Sequence, residues 1–170
     1  MNKLYKLLLS FNATAWMLIV YCVKESKKLF GLHPHLFDVL LVISVLLTTL
    51  LSLVLSELFG KESIHKCREL SLADNDFLPV YLGYFFVALS VPNNYTMLVV
   101  YAIVFVFTFL SQTQYFNPLF LLFGYHYYHV VSEHGTHMFI IKHGKVIRRT
   151  EDLELINLRR INDTTYIERR

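Results

Sequence analysis

Residues 36–56, LFDVLLVISVLLTTLLSLVLS, decide the fold class of this chain. The segment has a single charged residue, Asp38, which lies near its first end. A bilayer hydrocarbon core about 30 Å thick needs about 20 residues of α-helix at 1.5 Å per residue. The segment therefore predicts a transmembrane helix.

Three further apolar stretches lie on either side of this one. They cover residues 4–23, 77–91 and 95–114, and only Lys6 brings a charge into any of them. Hydrophobic residues make up 55% of the chain and charged residues 17%, as a membrane protein requires. We therefore predict an all-α polytopic membrane bundle of four transmembrane helices over residues 1–116. Proton relays, voltage sensors and ion-coupled transporters need charge at mid-membrane depth, so this pattern argues against them.

The pattern changes after residue 116. Asn117-Pro118 breaks the preceding helix, because proline lacks a backbone donor and restricts the residue before it. Short runs rich in β-forming residues follow. We predict strands at residues 125–131, 136–142, 145–149, 153–158 and 165–167, with turns at His143-Gly144 and Asn162-Asp163. Residues 117–170 are thus expected to form a small cytoplasmic β-rich domain.

The distribution of Lys and Arg predicts the orientation. The turn at residues 92–94 has no positive charge, whereas the tail after residue 115 has eight. The positive-inside rule then places the N- and C-termini in the cytoplasm. Lys24, Lys27 and Lys28 oppose this topology, since they fall in the first outer loop.

Hydroxyl side chains recur every fourth residue in the second segment, at Ser44, Thr48, Ser52 and Ser56. This spacing puts them on one helix face, where small residues allow close helix contact in lipid. The face serves either packing within the chain or an oligomer interface. A water-lined pore, to which Asn12 in the first segment would contribute, is a third alternative.

Two groups of residues in the tail are assigned functional roles. Asn117 and Pro118 are expected to act as a hinge between bundle and tail. We assign a partner-binding role to aromatic and basic residues of the tail: Tyr125, Tyr127, Arg148, Arg149, Arg159 and Arg160. The arginine pairs suit either an acidic protein surface or anionic membrane lipid. The net charge of +3 is too small to predict direct nucleic-acid binding.

Five histidines lie in the tail, at positions 126, 129, 134, 137 and 143. A zinc site needs three or four converging ligands, and no helical His-x-x-x-His pair is present, so a structural role is favoured over metal binding. Nucleophile-elbow, phosphate-binding-loop and His-Glu-x-x-His motifs are missing from the sequence. We predict no enzyme, no cofactor and no metal.

The stretch NPLFLLFGYHYYHV, residues 117–130, follows the apolar segments and leads into the strand-rich tail. In this layout it resembles the KwaA family, the membrane subunits of the bacterial Kiwa anti-phage defence system. The resemblance implies a plasma (inner) membrane protein that forms a homo-oligomer, a tetramer, and works with a cytoplasmic KwaB-like effector protein. The family offers no catalytic residues to transfer.

The leading hypothesis is therefore a membrane-embedded sensor and scaffold that recruits a cytoplasmic effector through its tail. The alternative is a pore-forming effector that depolarises the cell when triggered.

Overall fold

The computed structural model describes residues 3–25, 33–64, 67–111, 115–150, 153 and 155–168. Within these residues the chain forms five α-helices and six β-strands. The helices are α1 (Lys3–Glu25), α2 (Pro34–Leu55), α3 (Phe77–Ser90), α4 (Asn94–Ser111) and α5 (Pro118–Leu122). The strands are β1 (Lys61–Ile64), β2 (Cys67–Leu72), β3 (Tyr125–Ser132), β4 (His137–His143), β5 (Leu155–Arg160) and β6 (Thr165–Glu168).

The six strands form one mixed sheet in the order β1-β5-β6-β4-β3-β2. All neighbouring pairs are antiparallel except β4 and β6, which run parallel with Phe139 opposite Thr165. β3 and β4 form a hairpin in which Tyr127 lies opposite Ile141.

The two edge strands of this sheet, β1 and β2, are adjacent in sequence, so the sheet has to curl until its two edges approach each other. Five strand spacings of about 4.8 Å would separate the edges of a flat sheet by about 24 Å. Ile64 and Cys67 are three residues apart, and covalent geometry limits their separation to about 11 Å. The sheet therefore curls strongly, which brings the neighbouring ends of its edge strands β1 and β2 together; we call this curled sheet the barrel.

Both faces of the curled sheet are apolar. The face toward the helices carries Tyr127, Phe139 and Ile141, packed with Tyr5 and Leu9 of α1. The opposite face forms the barrel interior, a separate cluster of Tyr128, Val130, Met138, Ile140, Leu153, Leu155, Leu158 and Tyr166. Because successive strand residues point to opposite faces, β4 is buried over four consecutive residues.

Helix α1 contacts α2, α3 and α4. Its first half packs on the barrel, while its last turns meet the connection between α3 and α4. There Tyr21 Oη donates to Asn94 Oδ1 (2.7 Å) and Lys24 Nζ donates to the Val91 carbonyl (2.7 Å). The start of α1 and the barrel thus lie at the same end of the helices. Lys27 and Lys28, which bear on the orientation, lie outside the described residues.

The predicted fold class, an all-α bundle of four transmembrane helices with a separate β-rich tail, is wrong. Among the described residues, three helices are long and apolar enough to cross a membrane: Lys3–Glu25, His35–Leu58 and Asn94–Ser111. α3 has 14 residues, about 21 Å, and falls short of the hydrocarbon core of about 30 Å. The fold also includes a six-stranded mixed sheet, two of whose strands come from residues 61–72 between α2 and α3.

The strand predicted at residues 145–149 is also wrong, since these residues have irregular structure. β4 instead pairs with β3 before it and with β6 after it. The turn that makes the hairpin precedes β4, where Gly135 adopts a φ of 78°. The strands predicted at residues 125–131 and 165–167 are confirmed as β3 and β6, and a turn at Asn162-Asp163 joins β5 to β6.

Candidate functional site

The helices and the barrel meet at Tyr127 on β3 and Asn117 before α5. The Tyr127 hydroxyl donates to the Asn117 carbonyl and accepts from the Asn117 N–H, both at 2.9 Å. Tyr127 is 0% exposed and Asn117 is 2% exposed. Burial raises the pKa of the Tyr127 hydroxyl far above its ordinary value, so the group stays protonated and keeps both bonds at physiological pH.

The Asn117 side chain continues the contact into the helices. Its Nδ2 donates to Thr49 Oγ1 of α2 (2.9 Å), and its Oδ1 accepts from the Leu119 N–H (3.1 Å). The second bond is an N-cap for α5, and Pro118 occupies the first helical position, where its missing N–H costs nothing. The Asn-Pro pair therefore starts a short helix and fixes it to α2.

A second bond joins α2 to α1 one residue earlier. Thr48 Oγ1 lies 2.7 Å from Asn12 Oδ1, to which it donates, and Asn12 is fully buried. We call Asn12, Thr48, Thr49, Asn117 and Tyr127 the polar junction. It links α1, α2, the start of α5 and β3; Thr48 is half-buried and the other four side chains are buried.

Aromatic rings surround the polar junction. Tyr127 stacks on Phe139 with ring centroids 5.5 Å apart and an interplanar angle of 18°. Phe116 contacts both rings edge-on, at 5.2 Å and 5.1 Å. Such pairs add about 0.5–1.5 kcal/mol each beyond the area they bury. The hydrogen bonds of the junction thus lie in a dry environment, in which a lost partner is costly.

A third connection fixes the start of α3 to β3. Asp74 Oδ1 accepts from the Tyr127 N–H (2.7 Å), and its Oδ2 lies 2.6 Å from His126 Nδ1. Asp76, directly before α3, lies 2.8 Å from His129 Nε2. These two histidines, considered above as zinc ligands, take aspartate partners. Across the described part of the chain, His, Cys, Asp and Glu form no group of three that would hold a metal ion.

The predicted hydroxyl face of α2 divides in the structure. Ser52 and Ser56 are fully buried within the chain, and the Ser52 carbonyl accepts a hydrogen bond from the Tyr5 hydroxyl (3.0 Å). Thr48 contacts Asn12, whereas Ser44 is exposed and bonds only the Leu41 carbonyl of its own helix (2.7 Å). An oligomer interface on this face stays a prediction.

The residues predicted to bind a partner lie in different environments. Tyr125 and Tyr127 are buried against the helices, so their rings contact this chain's own core. Arg159 donates to the Phe59 carbonyl (2.6 Å), and Arg160 pairs with Asp163 (3.0 Å) and Glu62 (3.6 Å). Arg148 and Arg149 are exposed.

Asn117 and Pro118, predicted as a hinge, lie at the centre of the site. Sequence reasoning found them because proline after an apolar segment ends a helix. It missed Thr49 and Asp74 as partners, and it assigned Tyr127 a role in binding another protein. No local sequence signal identifies these contacts, because their partners lie 10 to 68 residues away.

The family comparison covers the helices and the barrel together. A family model described as anti-phage protein KwaA matches residues 5–167. The chain belongs to this family. The resemblance seen at residues 117–130 is thereby confirmed and extends to nearly the whole chain. Searches of the curated proteins and of the solved structures gave no match.

Membership of the KwaA family makes this an anti-phage defence protein. The three long apolar helices are consistent with a membrane protein. The matched range includes every residue of the polar junction.

Proposed function

We propose that this KwaA family member is a membrane-embedded sensor and scaffold in the bacterial plasma membrane, with no catalytic chemistry of its own. In this proposal it forms a homo-oligomer, a tetramer as the family resemblance implies, and recruits a cytoplasmic KwaB-like effector. The observation that carries the proposal is the polar junction, which joins two candidate membrane spans to the barrel through buried and half-buried hydrogen bonds.

The junction supplies a physical route for a signal. A buried donor or acceptor that loses its partner costs about 1–3 kcal/mol, so the hydrogen bonds stay intact when a helix shifts slightly. The bonded groups on the neighbouring elements then move with the helix. A displacement between α1 and α2 acts on Thr48 and Thr49, and through Asn117 it reaches Tyr127 on β3. The barrel is thus the element that responds to a change in helix packing.

The proposed oligomer contact uses the outer face of α2. Ser44 lies on that face with Leu40, Leu47 and Leu51, all of them exposed in the single chain. A small hydroxyl residue among leucines allows close helix approach in lipid. Lipid chains would cover whatever part of this face a second copy leaves free.

The proposed docking surface includes Arg148 and Arg149. Both side chains are exposed on the segment between β4 and β5. The Ile147 N–H donates to Tyr128 Oη (3.0 Å), which fixes this segment to the barrel. Adjacent arginines on an anchored segment favour an acidic protein surface, where each guanidinium can bind a carboxylate through two donors.

We expect the double substitution Arg148→Glu with Arg149→Glu to abolish co-purification of the cytoplasmic effector. The reason is charge repulsion at the docking surface, while the core stays unchanged. The matched control is Lys61→Glu with Arg68→Glu, which changes the net charge equally at exposed sites on β1 and β2. The measurement is affinity purification of the tagged full chain from membranes. Equal effector recovery with both double variants would contradict the docking surface.

We also propose that the barrel and the N-terminal end of α1 face the cytoplasm. A cysteine at position 134 in the exposed β3–β4 turn should then react with a membrane-impermeant maleimide only after the inner membrane is opened. A cysteine at position 92, between α3 and α4, should react in cells whose inner membrane is intact. Both changes, His134→Cys and Pro92→Cys, are made with Cys22 and Cys67 replaced by alanine. The reverse labelling pattern would overturn the orientation.

The pore-forming alternative has less support. Asn12 is fully buried and bonded to Thr48, and Ser52 and Ser56 are buried within the protomer. A water-lined channel along α2 would need these groups to face a lumen. We therefore keep the sensor and scaffold as the proposed function.

A further inference from the structure

An apolar groove of about 330 Å³ lies beside the polar junction, between α1, α3 and α5. Trp16 of α1 contributes to its lining. One wall comes from Phe77, Leu78, Tyr81, Leu82 and Phe85 of α3, and the other from Pro118, Leu119 and Leu122 of α5. Its volume is within the range of about 300–1,000 Å³ that small-molecule sites have.

We propose that this groove binds one acyl chain of a membrane phospholipid. The proposal deepens the proposed function, since it names the class of molecule through which the junction would sense the membrane. A signalling role for the bound lipid rests on that function, but lipid binding itself does not.

Water is a poor occupant of the groove. A buried water needs two to four polar partners. The Tyr81 hydroxyl is already engaged, 3.0 Å from both the Ala13 and the Phe116 carbonyl oxygens. The one other polar group of the lining side chains is the indole N–H of Trp16, which is buried and has no hydrogen-bond partner among the described residues. The remaining lining side chains are hydrocarbon, so the groove favours an apolar occupant.

The surroundings of the groove favour lipid as that occupant. α1, which contributes Trp16, is long and apolar enough to cross a membrane. The rim residues Leu78, Leu82 and Leu122 are exposed and continue into the exposed apolar residues Phe86 and Leu89 of α3. A groove that opens onto such a surface faces acyl chains when the helices lie in a bilayer.

The length of α3 supports the same occupant. At about 21 Å it covers only part of a hydrocarbon core of about 30 Å, so the bilayer has to adapt around it. α5 lies across the groove from the first turns of α3. An acyl chain between them fills the hydrophobic space that the short helix leaves uncovered.

An acyl chain in the groove would contact the polar junction almost directly. Pro118 and Leu119 line the groove and follow Asn117 in sequence. Leu119 also packs on Val45, Ala15 and Ile19. Withdrawal of the acyl chain, as in a thinned or perturbed membrane, would leave α5 unsupported on one side and alter the position of Asn117.

The chain has a single tryptophan, Trp16, which makes the proposal directly testable. Bromine atoms on a lipid acyl chain quench tryptophan fluorescence on contact. The full chain is reconstituted into phosphatidylcholine vesicles whose acyl chains are brominated or unmodified. We expect strong quenching of Trp16 by the brominated lipid.

Filling the groove with Leu82→Phe and Leu122→Phe should reduce this quenching at least twofold, because the lipid chain is displaced from Trp16. The matched control is Leu89→Phe with Leu110→Phe, at exposed positions that do not line the groove, and it should quench like the unmodified chain. Circular dichroism verifies that each variant is folded. Leu122→Phe alone serves if the double variant does not fold, since Leu122 is 77% exposed.

Two results would overturn the proposal. Equal quenching in the filled and control variants would mean that no lipid chain enters the groove. Absence of quenching in the unmodified chain would mean that protein covers it, as would happen if a second copy occupied the site. Neither result bears on effector recovery with the Arg148 and Arg149 variant, so failure of the groove and failure of the proposed function are distinguishable.

Discussion

Replacing Tyr127 with phenylalanine should uncouple the barrel from the helices and abolish protection against phage. The hydroxyl of Tyr127 satisfies both the N–H and the carbonyl of Asn117, and both groups are buried. Removing one buried partner costs about 1–3 kcal/mol, so two lost bonds should lower the free energy of unfolding by about 2–6 kcal/mol. In a chain of this size that corresponds to a fall in melting temperature of about 5–15 °C.

The measurements are thermal unfolding of the detergent-purified protein and plating efficiency of phage on cells that carry the complete defence system. Tyr95→Phe is the matched control, because Tyr95 is exposed on α4 and removal of its hydroxyl should leave both readouts unchanged. If Tyr127→Phe unfolded at the same temperature as the unmodified chain and still protected cells, the junction would not be the coupling element. Reduced protection at unchanged melting temperature would still support it.

Truncating Phe139 to alanine should loosen the barrel from the helices to a comparable extent. Phe139 is 3% exposed and contacts Tyr127 and Phe116 through ring pairs. Loss of a buried phenylalanine side chain costs about 3–5 kcal/mol, from the lost transfer free energy and the cavity left behind. The long apolar helices are untouched, so the variant should still be recovered in the membrane fraction.

Limited proteolysis of membranes checks this expectation. We expect faster cleavage in the exposed β3–β4 turn and in the segment after β4, because local opening of the barrel becomes easier. Phe86→Ala removes an equal ring from a position that is 67% exposed on α3, and its cleavage rate should match that of the unmodified chain. Similar cleavage in both variants would mean that Phe139 does not support the barrel.

The corrections to the sequence predictions concern strands more than helices. Residues 61–72 contain lysine, arginine and glutamate between apolar residues, and no strand is predicted there from the sequence. In the structure they supply β1 and β2, whose partners are β5 and β3, about 60 to 100 residues later. β2 has only half-buried and exposed residues, so no strong alternation marks it in the sequence.

The division of the α2 hydroxyls has a similar origin. A spacing of four residues places Ser44, Thr48, Ser52 and Ser56 along one slowly turning face. The sequence of α2 does not show which of these positions other elements cover. α1 and the barrel cover the later positions, so Ser52 and Ser56 are buried whereas Ser44 is exposed. The predicted segment 77–91 has 15 residues, nearly the 14 of α3, so the error was to count so short a helix as a transmembrane span.

The sequence by itself determined the positions of helices α1 to α4, the break at Asn117-Pro118, the strands β3 and β6, and membership of an anti-phage family. A helix satisfies its backbone within its own segment, and transfer into lipid sums over about 20 consecutive residues, so both can be recognised locally. Only the tertiary structure decided that β1 and β2 form the two edges of the curled sheet and that Tyr127 bonds to Asn117. Those contacts join residues that are far apart in the chain. They stabilise the fold only after the intervening elements have packed together.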